Sequence, residues 1–209
     1  MKKTVWVIDD DDSIRWVLDK ALGQAGIPIK AFDSADEAMH LFPNELPLTV
    51  LSDIRMPGSS GLDFLQKIQA EFPQIPVIIM TAHSDLDSAV NSFELGAYEY
   101  LAKPFDIDEV VNVVQRAISS RSESDPEITN QITPSSEILG SAPAMQEVFK
   151  AIGRLSSSSF TVLINGESGS GKELVARALH THGPRKNEVF VALNVAAIPK
   201  ELIESELFG

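Results

Sequence analysis

The sequence predicts an α/β chain: a doubly wound five-stranded parallel sheet, then a linker, then a second, incomplete α/β segment. Three observations carry this. Short apolar runs recur through residues 1–120, too uniformly apolar for a sheet with one wet face. Stretches with helical periodicity alternate with them. Each run breaks off at a polar residue or turn signal, as a parallel strand does when it delivers a side chain to the rim of its sheet.

Val5–Ile8 is the first strand, ending in the run Asp9, Asp10, Asp11, Asp12. Ser13 caps a helix on which Ile14, Val17, Leu18, Ala21, Leu22 and Ala25 recur until Gly26 stops it. Ile27–Phe32 is the second strand and Ser34–Leu41 a short helix. Leu48–Ser52 is the third strand; it ends at Asp53, and the turn signal Pro57-Gly58 follows. Leu62, Leu65, Ile68 and Phe72 mark a third helix. Pro76–Thr81 is a fourth strand ending in a hydroxyl. Ser84–Leu95 is a fourth helix whose stripe, Leu86, Val90 and Phe93, is sparse, so it is expected to pack loosely. Tyr98–Ala102 is a fifth strand ending in Lys103-Pro104, and Asp106 caps a fifth helix bearing Ile107, Val110, Val111, Val114 and Ile118.

Residues 121–137 lack periodicity and read as a linker. Order returns at Ile138-Leu139-Gly140. Met145, Val148, Phe149, Ile152 and Leu155 then make an amphipathic helix, Phe160–Ile164 a strand, Glu173–His180 a helix and Val189–Leu193 a further strand. The expected division is 1–120, a linker at 121–137, and 138–209.

A net charge of −13 argues against a general nucleic-acid-binding surface. The absence of cysteine excludes disulfide and thiol chemistry. Met1 to Thr4 lead into a strand rather than a signal segment, and no apolar run approaches the ~20 residues of a membrane span. A cytoplasmic protein with no membrane contact is expected.

Strand ends bring distinct chemistry to one rim: Asp9 to Asp12 from the first, Asp53 from the third, Thr81 from the fourth and Lys103 from the fifth. An Asp run after a strand is ordinarily a helix cap, and a lone Thr or Lys says little. Their joint arrival is what counts. Clustered carboxylates repel, and a hard divalent cation such as Mg²⁺ relieves that while also binding phosphate oxygens. Lys103 and Thr81 suit phosphoryl oxygens, and Asp53 suits a nucleophile that forms an aspartyl-phosphate.

Gly166, Glu167, Ser168, Gly169, Ser170, Gly171 and Lys172 fit the P-loop pattern between a predicted strand and helix, a context for binding ATP phosphates on backbone N–H groups. Glu173 stands where the general pattern has a Ser or Thr for Mg²⁺.

Residues 1–120 resemble the receiver domain of response regulators, a flavodoxin-like fold, through Asp9-Asp10, Asp53 with Met56-Pro57-Gly58, Thr81-Ala82 and Lys103-Pro104-Phe105. The resemblance implies that Asp53 accepts a phosphoryl group from a sensor histidine kinase, with Thr81 and Lys103 on the phosphoryl oxygens. It implies that Asp10 and Asp53 bind Mg²⁺ with the carbonyl of Arg55, that Asp9 is the second acid, with Asp11 left open by the four-Asp run, and that Tyr100 moves with Thr81. It also implies a cis bond before Pro104. The segment from Ser84 to Leu95 is the expected moving element.

Gly-Glu-Ser-Gly-x-Gly-Lys-Glu at 166–173, Ile138-Leu139-Gly140, Leu193 to Ala197 and Glu204 to Gly209 resemble the AAA+ activators of sigma-54 RNA polymerase. With the receiver in front, the chain resembles NtrC-type nitrogen-regulation response regulators of two-component systems. That implies control of sigma-54-dependent transcription, with polymerase, DNA and self-association to dimers and higher oligomers as partners of the full-length parent. The helices at Asp106–Ser119 and Met145–Leu155 are the expected self-association faces. Some ~70 residues of the ATPase module are too few to bury its core, so hydrolysis and full folding of 141–209 are not expected. Other readings are a P-loop ATPase active by itself and a free-standing receiver competing for phosphoryl groups. A dehalogenase-type phosphatase is disfavoured, because its nucleophile follows the first strand.

Overall fold

The computed structural model describes residues 4–82, 86–120 and 142–193. The strands are β1 (Val5–Ile8), β2 (Ile29–Phe32), β3 (Val50–Asp53), β4 (Val77–Thr81) and β5 (Glu99–Ala102). They pair in parallel in the order β2-β1-β3-β4-β5. The helices are α1 (Asp12–Gln24), α2 (Ala35–Met39), α3 (Gly61–Glu71), α4 (Leu86–Glu94), α5 (Ile107–Ser120), α6 (Pro143–Ser156) and α7 (Lys172–Thr181).

The sheet sorts its side chains by alternation. Val5, Val7, Leu51, Ile78, Met80 and Leu101 face one layer with Leu18 and Leu22 of α1 and Val110, Val113 and Val114 of α5. Trp6, Ile8, Val50, Val77, Ile79 and Tyr100 face the other, under α2, α3 and α4. Both faces are covered, which is why β1, β3 and β4 are apolar runs rather than alternating ones. Trp6 anchors the second layer against the Phe32 and Phe42 rings, at 4.9 and 4.8 Å between centroids.

β1 has the expected bounds, β2 to β5 each begin one or two residues later than expected, and β3 runs on to include Asp53. Two expectations fail. Phe160–Ile164 and Val189–Leu193 form no strand; Phe160, Leu163 and Val189 are exposed. An apolar run becomes a strand only where a neighbour takes its backbone N–H and C=O groups, and none stands beside them among the described residues. The fourth helix does not pack loosely either. Leu86, Ala89, Val90 and Ser92 are buried, and α6 covers its outward side with Phe149 and Ile152. The residues Ser84 and Asp85, the linker 121–137, Ile138–Gly140, Asn194–Ala197 and Glu204–Gly209 lie outside the described residues.

One glycine sets how α3 seats beneath the rim. A Cβ on Gly61 would lie 1.9 Å from the Asp53 carbonyl oxygen. The Gly61 N–H also donates to the Ile54 carbonyl at 2.9 Å, and Ser60 and Asp63 close a capping box at the same turn. We expect Gly61→Ala to lower the stability of the chain by about 1–3 kcal/mol in urea titration, as overpacking does. An unchanged midpoint would show that this turn is not tightly seated.

Candidate phosphoryl-acceptor site

The rim is built by register. Ile8 of β1 pairs with Ser52 of β3, so Asp9 and Asp53, the next residues, stand side by side. Asp53 pairs with Met80, which places Thr81 one step further along β4. Thr81 pairs with Ala102, so Lys103 emerges beyond β5 at the same edge. The chain steps outward from β1 to β2 and then reverses, crossing back over β1 to β3, which opens the crevice between β1 and β3.

Lys103 ties the rim together. Its Nζ lies 2.6 Å from Asp9 Oδ2 and 2.7 Å from Asp53 Oδ1. Asp9 is wholly buried and Asp53 and Thr81 nearly so. The Arg55 N–H donates to Asp53 Oδ2 at 2.8 Å, so each Asp53 oxygen has a partner. Burial would push the Lys103 ammonium down, but hydrogen bonds to Asp53 and Asp9 outweigh it and hold the ammonium above its ordinary value. For Asp9 the balance is reversed: burial pushes its carboxyl up, against the pull of Lys103 and the Asp11 N–H.

The four aspartates after β1 have separate fates. Asp9 is buried beneath the rim and Asp10 is exposed on it. Asp11, not Ser13 as expected, caps α1; it accepts from the Ser13 N–H at 2.8 Å, which lowers its carboxyl pKa. Asp12 is the first residue of α1 and pairs with Arg15. Among the described residues no group of three or more acidic or histidine side chains gathers as a finished metal cage. Tyr100 is buried on β5, and the bonds before Pro104 and Pro43 are cis.

Two tethers escaped sequence reasoning. Arg15 donates to the Asp9 carbonyl as well as to Asp12. Asp36 accepts from the Ser59 N–H at 3.3 Å and its hydroxyl at 2.6 Å, which pins the turn after Asp53. The i,i+3 spacing of Asp12 and Arg15 was a visible signal; nothing local marks Asp36 and Ser59 as neighbours.

The glycine-rich loop precedes α7 as expected. Gly169 and Gly171 have φ of 81° and 87°, a region that favours glycine. Lys172 turns its ammonium back to the carbonyls of Gly166 and Glu167, at 2.9 and 2.6 Å. Ser170 N–H closes on the Glu167 carbonyl at 3.2 Å, while Ser168 is exposed. Glu173 pairs with Arg177 on the exposed side of α7.

A carboxyl with its folded pKa above the unfolded value binds its proton more tightly when folded. Its ionisation therefore costs stability as pH rises from about 3.9 through the folded value. Asp9→Asn escapes this cost. We expect its stability relative to the wild type to grow as pH rises from about 4 towards neutrality and then to level off. Urea midpoints across that range test it, and a wild type that gains on the variant with rising pH would overturn it.

Comparison with known proteins gives these features a family. The model of the response regulator receiver domain matches residues 5–115, and that of the sigma-54 interaction domain matches 138–209. The DNA-binding transcriptional regulator NtrC of Escherichia coli K12 is 58% identical over 206 residues, covering 98% of this chain and 44% of that protein. NtrC of Azospirillum brasilense is 43% identical over 208 residues, covering 99% and 43%. The chain thus spans less than half the length of these relatives. Among solved structures, the BeF3-activated receiver domain of nitrogen regulatory protein C is 52% identical with a TM-score of 0.52, covering 59% of this chain and all of that one. NtrX from Brucella abortus in complex with ATP is 32% identical with a TM-score of 0.54, covering 100% of this chain and 47% of that one. This chain belongs to the response regulator receiver family, and its second segment is part of a sigma-54 interaction domain.

Proposed function

We propose that the chain is the phosphorylation-controlled part of a two-component transcriptional activator, with Asp53 as the phosphoryl acceptor. The observation that carries this is the Lys103 ammonium held between Asp9 and Asp53. It gives a nucleophilic carboxylate a fixed cation beside it. A sensor histidine kinase supplies the phosphoryl group. An Asp53 carboxylate oxygen attacks phosphorus, the P–N bond to the kinase imidazole breaks with its electron pair on nitrogen, and that nitrogen takes up a proton. Lys103 meets the charge on the transferring oxygens, and the Thr81 hydroxyl donates to one of them.

The residues fit Mg²⁺. Two carboxylates already share one cation, and Asp10 and the Arg55 carbonyl lie at the same strand ends. Mg²⁺ asks for one or two carboxylates, carbonyls and water rather than a full cage. Asp10, Asp53 and the Arg55 carbonyl would hold it, with Asp9 behind them; Asp11 is engaged as the α1 cap. When bound, Mg²⁺ supplies charge neutralisation for phosphoryl oxygens. Thr81 leads into α4, and Tyr100 lies in the same apolar cluster as α4, so a phosphoryl group that engages Thr81 biases both.

The end of α5 at Ser120 supports a receiver over 1–120, a linker over 121–137 and an AAA+ portion from 138. Residues 166–173 are the ATP site of that portion, supported by the positive-φ glycines and by Lys172 over the loop. The whole protein is then an activator of sigma-54-dependent, nitrogen-responsive transcription that works on RNA polymerase and DNA as an oligomer. Its place is the cytoplasm; among the described residues no helix is long and apolar enough to cross a membrane.

Intact mass after incubation with acetyl phosphate, with and without Mg²⁺, tests the acceptor. We expect one Mg²⁺-dependent, hydroxylamine-labile phosphoryl adduct that is lost in Asp53→Asn. A folded wild type without an adduct would overturn the assignment. For the second site, we expect Lys172→Ala to weaken binding of a fluorescent ATP analogue by about tenfold or more, roughly one charge-assisted contact. Equal affinity in the two proteins would remove the loop from nucleotide binding.

A further inference from the structure

The turn between β3 and α3 carries the Arg55 carbonyl, and its first residues are tied to the sheet. The Ile54 N–H donates to the Met80 carbonyl at 3.0 Å, and the Ile54 carbonyl accepts from the Gly61 N–H at 2.9 Å. The Arg55 N–H donates to Asp53 Oδ2 at 2.8 Å. Met56 is buried in the same apolar layer as Ala35 and Ala38 of α2, while Arg55, Pro57 and Gly58 are exposed. Pro57 has no N–H to donate, and Gly58 adopts a φ of 84°, a conformation open chiefly to glycine. The outer half of the turn therefore needs an anchor of another kind.

α2 supplies it. Asp36 lies in the first turn of that five-residue helix and 23 residues from Ser59 in the chain. Its Oδ2 accepts from the Ser59 N–H at 3.3 Å and its Oδ1 from the Ser59 hydroxyl at 2.6 Å. One carboxylate thus takes both donors of one residue, a charge-assisted pair that fixes direction as well as distance. The turn is shaped to admit it: a Cβ on Gly58 would lie 2.7 Å from Asp36 Oδ2. α2 is itself seated by the fully buried Ala35 and Ala38, so the anchor has a firm base.

We propose that Asp36 is a positioning residue for Mg²⁺ at the phosphoryl-acceptor site: by holding Ser59 it keeps the turn on the course that presents the Arg55 carbonyl. The proposal rests on Asp10, Asp53 and that carbonyl as the Mg²⁺ ligands. Asp53 is placed by sheet register, whereas the carbonyl belongs to the turn and is only as steady as the turn is. Mg²⁺ demands near-ideal octahedral geometry, so a carbonyl that must be ordered on binding costs affinity. Ordering it beforehand removes that cost. In this role Asp36 meets neither the cation nor the phosphoryl group. It acts through Ser59 and the backbone between Ser59 and Arg55.

The test compares the whole chain as wild type, Asp36→Ala, Ser59→Thr and the double variant Asp36→Ala with Ser59→Ala. Mg²⁺ affinity is read from amide NMR shifts at the rim with no phosphodonor present, and amide exchange at Arg55, Met56, Gly58 and Ser59 reports the turn. We expect faster exchange in Asp36→Ala and about fivefold weaker Mg²⁺ binding, about 1 kcal/mol. Ser59→Thr keeps the hydroxyl and binds as the wild type does. The double variant binds no more weakly than Asp36→Ala, because the latch is already open. With acetyl phosphate, the Mg²⁺ concentration for half-maximal modification rises in Asp36→Ala, while the rate at saturating Mg²⁺ stays within about twofold of the wild type. A lowered urea midpoint with unchanged Mg²⁺ affinity would make Asp36 merely structural and overturn the proposal. Unchanged exchange in Asp36→Ala, or a double variant weaker than Asp36→Ala, would also overturn it. Loss of the rim shifts in Asp53→Asn ties them to this site. A wild type whose rim amides do not respond to Mg²⁺ removes the cation site itself, and the proposal falls with it.

Discussion

The Lys103 ammonium between two carboxylates is the constraint on which the rim depends. Asp9 is wholly buried, and a buried carboxylate without a cation would give up its charge. Lys103 reaches it from the end of β5, passing the end of β4, and meets Asp53 of β3 on the way. One side chain therefore spans the ends of four adjacent strands. Buried ion pairs contribute little net stability, because desolvation offsets attraction. This one is better understood as a device that fixes the position of the Asp53 carboxylate in a low-dielectric crevice.

The backbone around Asp53 is held as firmly as its side chain. Gly61 presses against the Asp53 carbonyl, the Ile54 N–H donates to the Met80 carbonyl at 3.0 Å, and Asp36 holds Ser59 from across the β3–α3 turn. The Asp36 carboxyl is kept below its usual range by those two Ser59 hydrogen bonds. Preorganisation here comes from ordinary packing and capping. The turn that presents the Arg55 carbonyl is fixed at both ends before any ligand arrives.

Much of this was legible because parallel strands buried on both faces leave a plain trace: apolar letters, then one polar residue at the rim. Asp53, Thr81 and Lys103 could be placed that way. The register of Asp9 to Asp12 could not, since four identical letters do not say which one the strand buries, which the helix uses as its cap and which stays in water. Helix α4 was misjudged for a different reason. Its stripe looked sparse because α6, far along the chain, covers its outward side, and the Glu99–Arg154 pair that helps seat α6 is 55 residues apart. The runs at 160–164 and 189–193 carried a true strand pattern, but a strand is a property of two segments, and periodicity reads only one.

The Asp53 rim and the glycine-rich loop are linked by a short run of packed helices. α7 starts at Lys172 of the glycine-rich loop, packs its buried Ala178 into the cluster shared by α4 and α6, and ends near His182, whose imidazole lies 3.8 Å from Asp87 of α4. Burial pushes the His182 imidazole below its usual pKa, despite the pull of Asp87. Against the same helix, Gly153 of α6 leaves a notch for the Phe93 ring, which a Cβ would meet at 2.6 Å, and the ion pairs of Arg154 with Glu99 and Lys150 with Glu109 orient α6. A helix clamped in this way has few intermediate positions: the notch is either filled or open. That discreteness is what a switch needs, because packed interfaces rearrange between distinct states rather than deform continuously. α4 follows β4, which ends at Thr81, and packs in one cluster with the helix that begins at the glycine-rich loop.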